Sequence, residues 1–150
     1  MARKVFKTVL FLVESSQGAL EAARTTVQLA KTCDAKLVAV AVVDTETLKQ
    51  LVSNRILAER EMHDLERDLE SSFRKQLAYI TDLAKGEGVK VDSLLLKGAC
   101  HMAVMRAQRE TGADLIVLAP FSLSKARRDL VANEKHLIAD QAECPVLILR

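Results

Sequence analysis

The residues best suited to do chemistry follow two short apolar runs of the chain. Glu14 and Ser15 come directly after the run Thr8–Val13, and Ala119 follows the run Leu115–Leu118. If these runs are strands of one parallel sheet, their carboxyl ends meet at the edge where open α/β sheets bind ligands. The sequence therefore places any binding site at these two turns.

A second reactive group is the thiol of Cys100, at the predicted start of a helix. A helix N-terminus lowers the pKa of a thiol and favours a redox-sensitive thiolate. The neighbouring His101 points in a different direction on a helix and forms no ready dyad with it. An ordinary small apolar role for Cys100 is the favoured interpretation, with a thiol-based sensor as the alternative.

Other kinds of catalytic or metal site lack their sequence signals. The three histidines form no i, i+4 pair and no His-Glu-x-x-His pattern, and the three cysteines form no Cys-x-x-Cys pair. The chain also has no Gly-x-Ser-x-Gly elbow and no phosphate loop of the Gly-x-x-x-x-Gly-Lys type. We therefore predict no enzymatic activity and no metal site.

Composition narrows the class of protein and its partners. A length of 150 residues fits one domain, here residues 1–150. The net charge of +2 and the 3% aromatic content argue against a nucleic-acid partner. Three cysteines, far apart and odd in number, suit a reducing cytoplasm, and the first apolar run is too short for a signal peptide or a membrane insertion.

Hydrophobic patterning predicts alternating strands and helices. Five short apolar runs predict strands at Thr8–Val13, Lys36–Val43, Val91–Leu96, Leu115–Leu118 and Val146–Leu149. Four segments with helical spacing lie between them, at Gly18–Cys33, Thr47–Lys85, Ala99–Thr111 and Ser124–Ala142. Alternation of this kind predicts a Rossmann-like parallel sheet with right-handed crossovers and helices on both faces.

Two helices have a well-defined apolar stripe. The first is expected to bury the stripe Leu20, Ala23, Val27 and Ala30. The second is expected to be one long helix that buries a stripe of seven residues, namely Met62, Leu65, Leu69, Phe73, Leu77, Ile80 and Ala84.

Several segments together resemble the universal stress protein family over the whole chain. They are the first strand with Glu14, the strand Ala35–Val43, the stretch Gly98–Leu118 and the closing Cys-Pro strand Glu143–Leu149. The resemblance implies an α/β three-layer fold of the universal stress protein or adenine nucleotide alpha hydrolase-like type. It implies an open parallel five-stranded sheet with strand order 3-2-1-4-5.

The nucleotide-binding loop of that family is degenerate in this sequence. Its pattern, Gly-x-x-Gly, nine residues, then Gly-Ser or Gly-Thr, falls on Ala119, Ser122, Ala132 and Asn133. Glycines in such loops adopt positive φ and let backbone N–H groups approach phosphates. Pro120 has no N–H and pushes Ala119 toward extended geometry. We predict a packed, partly helical connection without a ligand; the alternative is a remodelled site for ATP or ADP.

Further residues near this loop have two interpretations each. The resemblance implies that Glu14 stands where the family commonly has an Asp near the adenine, and Ser15 adjoins it. The favoured interpretation is that Glu14 is a strand-end residue that faces water or caps the next helix. The side-chain amide of Asn133 is suited to donate to a phosphate, but the favoured interpretation is that Asn133 is an exposed residue of the helix. A basic cluster is formed by Lys125, Arg127, Arg128 and Lys135. The cluster is suited to bind an anion or an acidic partner, but a solvated helix face is the favoured interpretation.

The predicted function is that of a non-enzymatic stress-response or regulatory protein without a cofactor. The family resemblance implies a homodimer through the last strand, with Val146, Leu147, Ile148 and Leu149 at the interface. Its partners are a second copy of itself and an unidentified regulatory protein or transporter, not nucleic acid. The alternative is a nucleotide switch that binds ATP or ADP through residues 119–133.

Overall fold

The computed structural model describes residues 5–14, 18–120 and 125–150, and in residues 125–132 the backbone only. Its elements are, in chain order, β1 (Thr8–Leu12), α1 (Ala19–Cys33), β2 (Lys36–Val43), α2 (Thr45–Ser53), α3 (Glu59–Gly86), β3 (Val91–Lys97), α4 (Cys100–Thr111), β4 (Leu115–Leu118), α5 (Lys125–Gln141) and β5 (Val146–Ile148).

The five strands form one parallel sheet in the order β3-β2-β1-β4-β5. In the centre, Phe11 pairs with Ala39 on one side and with Val117 on the other. This topology confirms the predicted α/β fold and strand order. The strand order reverses between β1 and β4, so the ligand crevice of such a sheet lies beyond the carboxyl ends of these two strands.

Both faces of the sheet are covered, which explains the continuous apolar runs. Along β1, Val9 and Phe11 pack into the core under α1, α2 and α3, whereas Leu10 and Leu12 pack into the core under α4 and α5. Successive strand residues point to opposite faces, so a strand covered twice needs apolar residues at every position. No helix in the described part of the chain is both long and apolar enough to cross a membrane.

The prediction of one long helix over Thr47–Lys85 is wrong, because the chain breaks between α2 and α3. Arg55 has a φ of 59°, the left-handed conformation that commonly ends a helix. The N–H of Ile56 then donates to the carbonyl of Leu51 at 2.8 Å, which closes the last turn of α2. The sequence has no glycine at this position, so the stop signal was not visible.

The predicted stripe of α1 is also wrong at Leu20. Leu20 is 50% exposed, and Ala22 lies in the core with the other predicted residues. In α3 the buried residues are Phe73, Leu77, Ile80 and Ala84, and the earlier three residues of the stripe pack at the edge of the core.

The break between α2 and α3 leads to a stability prediction. Arg55→Gly should raise the free energy of unfolding by about 0.5–1 kcal/mol, since glycine adopts the left-handed conformation without a clash at Cβ. Urea unfolding at neutral pH measures the change. Gly112→Ala is the opposite control, because Gly112 has a φ of 71° and open space around the new Cβ, so only backbone strain is added. This variant should lower the free energy of unfolding by about 1 kcal/mol. A loss of stability in Arg55→Gly would contradict this account of the break.

Candidate functional site

The crevice between the carboxyl ends of β1 and β4 is occupied by a lysine side chain of the protein itself. Lys135, on α5, is only 1% exposed, and its Nζ donates to the carbonyl oxygens of Ala119 and Pro120, each at 3.1 Å. The same Nζ lies 2.7 Å from Oε2 of Glu14. One ammonium group thus holds both strand ends that border the crevice.

This arrangement corrects the predictions for two residues. Lys135 does not belong to a solvated basic face. Ile138, three positions later on α5, is fully buried, so the side of the helix that carries both residues faces the sheet. Glu14 neither faces water nor caps α1, since its side chain is 14% exposed and contacts Lys135. The N-cap position of α1 is Gly18, without a side-chain cap.

Burial dominates the electrostatics of Glu14. It raises the pKa of the Glu14 carboxyl above its ordinary value, and the charge of Lys135 opposes this rise without cancelling it. The ammonium of Lys135 has three hydrogens, enough for the two carbonyl oxygens and for the Glu14 carboxylate at 2.7 Å. Desolvated ions of this kind are costly unless each keeps its partner.

The N-terminus of α4, which borders the crevice, already holds two carboxylates of the chain. Oδ2 of Asp44 accepts from the Cys100 N–H at 3.1 Å, and Oε2 of Glu134 accepts from the His101 N–H at 2.8 Å. The ring Nδ1 of His101 lies 2.6 Å from the same Glu134 oxygen. The N–H groups and dipole of a helix N-terminus attract anions, and here internal anions satisfy them.

Sequence reasoning missed both Asp44 and Glu134. Asp44 also caps α2, because its Oδ1 accepts from the Thr47 N–H at 2.9 Å. Its position directly after β2 and three residues before Thr47 is a normal N-cap signal and was available in the sequence. Glu134 gives no comparable signal, since a glutamate within a helix is usually exposed.

The environment of Cys100 opposes a reactive thiolate. Burial, and then the nearby carboxylates of Asp44, Glu134 and Glu14, raise the pKa of the Cys100 thiol far above its ordinary value. These effects outweigh the helix N-terminus that suggested a thiol sensor. The ring Nδ1 of His101 contacts Glu134.

The predicted nucleotide-binding residues are only partly brought together. Ala119 is fully buried at the crevice, and Asn133 is exposed on α5. Ala132 also lies within α5, where backbone N–H groups bond within the helix and are not free to bind phosphate. Ser15 and Ser122 lie outside the described residues, as do the side chains of the other three members of the basic cluster.

Metal binding has no support in the described ranges. Within them, no three His, Cys, Asp or Glu side chains are grouped to hold a metal ion. The carboxylates around the crevice instead bind backbone N–H groups, an imidazole and an ammonium.

The crevice ion pair gives a prediction for a double-mutant cycle. Lys135→Met should cost about 3–5 kcal/mol at pH 7, because it leaves a buried carboxylate without its cation. Adding Glu14→Gln should recover much of this loss. Urea unfolding of the two single variants and the double variant measures the coupling.

The pH dependence has a definite sign. The pKa of Glu14 is higher in the folded state than in the unfolded state, so the folded state binds more protons. The free energy of unfolding therefore falls as pH rises from 4.5 through the folded-state pKa of Glu14. Lys135→Met should steepen this fall. Lys36→Met, which breaks an exposed ion pair with Asp92, is the control and should cost less than about 1 kcal/mol. Equal costs for the two lysine variants would contradict the account.

Comparisons with known proteins agree with the architecture of the sheet. The family model described as the universal stress protein family matches residues 6–150. A universal stress protein of Methanocaldococcus jannaschii is 25% identical over 146 residues, which cover 97% of this chain and 83% of that protein.

Solved structures have the same fold. A universal stress protein family member from Burkholderia pseudomallei superposes with a TM-score of 0.74 at 22% identity, covering 99% of this chain and 98% of the other. A universal stress protein crystallised in complex with cAMP superposes with a TM-score of 0.68 at 21% identity, covering 97% of each chain. The chain therefore belongs to the universal stress protein family.

Proposed function

We propose that this chain is a non-enzymatic regulatory protein that acts as a homodimer and does not bind ATP in its crevice. The observation that carries the proposal is Lys135, whose ammonium fills the space between the β1 and β4 ends and bonds to Ala119, Pro120 and Glu14. A ligand at this position would have to displace an ion pair from a buried environment.

Electrostatics also argue against a polyphosphate. Among the described side chains, three carboxylates border the crevice, those of Glu14, Asp44 and Glu134, together with one buried ammonium and the imidazole of His101. A phosphate chain placed there meets repulsion that is strong at low dielectric. The α4 N-terminus, where a phosphate would otherwise find N–H donors, already binds Asp44 and Glu134.

The proposal of a non-enzymatic protein rests on the state of the reactive groups. The raised pKa of Cys100 keeps its thiol protonated and poorly nucleophilic. The Nδ1 of His101 is held by Glu134, not directed at a nucleophile. Free thiols at all three cysteines suit the reducing cytoplasm that we propose as its location.

The last strand supports the homodimer. β5 is an edge of the sheet, and Leu147 and Ile148 are 39% and 41% exposed. The Leu149 N–H donates to the Leu118 carbonyl of β4, so the alternate residues Val146 and Ile148 direct their backbone groups to the open edge. Exposed apolar edges of this kind invite a second strand, and a two-fold dimer covers both copies at once. The further regulatory protein or transporter remains a prediction.

The backbone N–H of Val146, at the open edge of β5, allows a test of dimerisation. Val146→Pro removes one N–H from the open edge and leaves the bonds to β4 in place, so it should convert a dimer into a monomer. Size-exclusion chromatography with light scattering gives the mass of each species. Val146→Ala keeps the N–H and is the matched control. A dimer that persists in Val146→Pro would exclude pairing through the last strand.

The alternative function is a nucleotide switch with a rebuilt loop. It is favoured by the likeness to the structure solved with cAMP, although at 21% identity that likeness concerns the fold alone. Calorimetric titration with ATP and magnesium, and separately with cAMP, should give no saturable heat. The cAMP-binding relative is the positive control. Micromolar affinity for either nucleotide would overturn the proposal.

A further inference from the structure

Helix α5 is held over the crevice mainly by polar contacts. Among its described side chains, those of residues 133–141, the buried ones are Lys135 and Ile138. In contrast, α1 buries six residues, and five of them are apolar. Elements with few buried apolar side chains open locally at a lower free energy than the core of a protein. We therefore expect α5 to open before the sheet does.

Two consecutive residues of α5 hold opposite sides of the crevice. Glu134 accepts from the His101 N–H at 2.8 Å, at the start of α4. Lys135 lies 2.7 Å from the Glu14 carboxylate at the end of β1 and donates to the two carbonyls that follow β4. Because Glu134 and Lys135 are adjacent in the chain, one local opening of α5 breaks both sets of contacts. Such an opening also lets water reach Glu14.

Negative charge is in excess in the closed crevice. Four charged groups act on the Cys100 thiol and so lie close to one another, namely the carboxylates of Asp44, Glu134 and Glu14 and the ammonium of Lys135. An excess of negative charge that is shielded from water favours the uptake of a proton. Burial also raises the pKa of the Glu14 carboxyl, so Glu14 is the group at which a proton is taken up.

Other titratable groups around Glu14 keep this sign. On α4, the ring Nδ1 of His101 contacts Glu134, and on α3, Lys75 and Tyr79 line a groove with Glu14. Lys75 is exposed, so water and salt screen its charge. The charge of Lys135 lowers the pKa of Glu14, but burial has the larger effect. The closed state therefore binds more protons at Glu14 than an open state in which water solvates the carboxyl.

We propose that α5 is a proton-sensitive latch, closed over the crevice in acid and released as pH rises. The sign follows from the extra proton of the closed state, because the population of the open state grows as pH rises from 4.5 through the closed-state pKa of Glu14. Release exposes the ends of β1 and β4 together with the first N–H groups of α4. The latch deepens the function proposed above and rests on it, because both take Lys135 as the group that fills the crevice.

Hydrogen exchange of the full chain, followed by NMR and corrected for the intrinsic rate at each pH, tests the latch. At pH 8 the amides of residues 133–141 should have protection factors about tenfold or more below those of β2, because α5 opens locally. Between pH 5 and pH 8 the protection factors of α5 should fall about fivefold. Amides of α5 as well protected as those of β2, or a protection that does not fall, would overturn the proposal.

Variants assign the fall to the crevice. Glu14→Gln keeps the shape of the side chain without a titrating group, so the protection of α5 should vary less than about twofold over this pH range. Glu21→Gln, at a side chain that is 81% exposed on α1, is the matched control and should keep the fivefold fall. Glu134→Gln keeps an acceptor for the His101 N–H but removes one negative charge, and should reduce the fall. Circular dichroism confirms that each variant is folded. An unchanged fall in both crevice variants would contradict the latch.

Titration with ATP and magnesium at pH 6 separates the latch from the proposal on which it rests. If ATP binds while the fall in α5 protection is still seen without nucleotide, the proposal of a nucleotide-free crevice fails and the latch does not. If ATP does not bind and the protection of α5 is independent of pH, the latch alone fails.

Discussion

The ion pair between Glu14 and Lys135 is the constraint on which the crevice depends. Both charges are largely removed from water, and a desolvated charge is tolerated only with a close partner and hydrogen bonds. Lys135 meets this requirement by bonding to the carbonyls of Ala119 and Pro120 as well. The pair therefore joins the end of β1, the end of β4 and helix α5 at the point where the strand order reverses.

The polar groups around this pair are also satisfied from within the chain. Asp44 joins the N-termini of α2 and α4, and Glu134 binds the backbone and ring of His101. A crevice that in other α/β proteins attracts a phosphate is here supplied with internal anions and an internal cation. The chain has the family fold, and function is decided by the groups at such a crevice and not by the fold itself.

The sequence predicted the sheet well because strands covered on both faces need continuous apolar runs, as β1, β2 and β4 have. The alanine at position 119, where the family pattern predicts a glycine, was also visible in the sequence. The inward direction of Lys135 was not, because a charged helix residue normally faces water and only tertiary contact with Glu14 reverses that preference. The break at Arg55 was missed for a related reason, since its left-handed backbone lacks the expected glycine.

Native mass spectrometry of freshly purified protein, before and after addition of ATP and magnesium, tests the central claim most directly. If Lys135 and Glu14 fill the crevice, each species, monomer or dimer, should have the mass of its polypeptide chains alone under both conditions. A retained nucleotide in the purified protein, or stoichiometric uptake of ATP that persists at gentle activation, would contradict the claim.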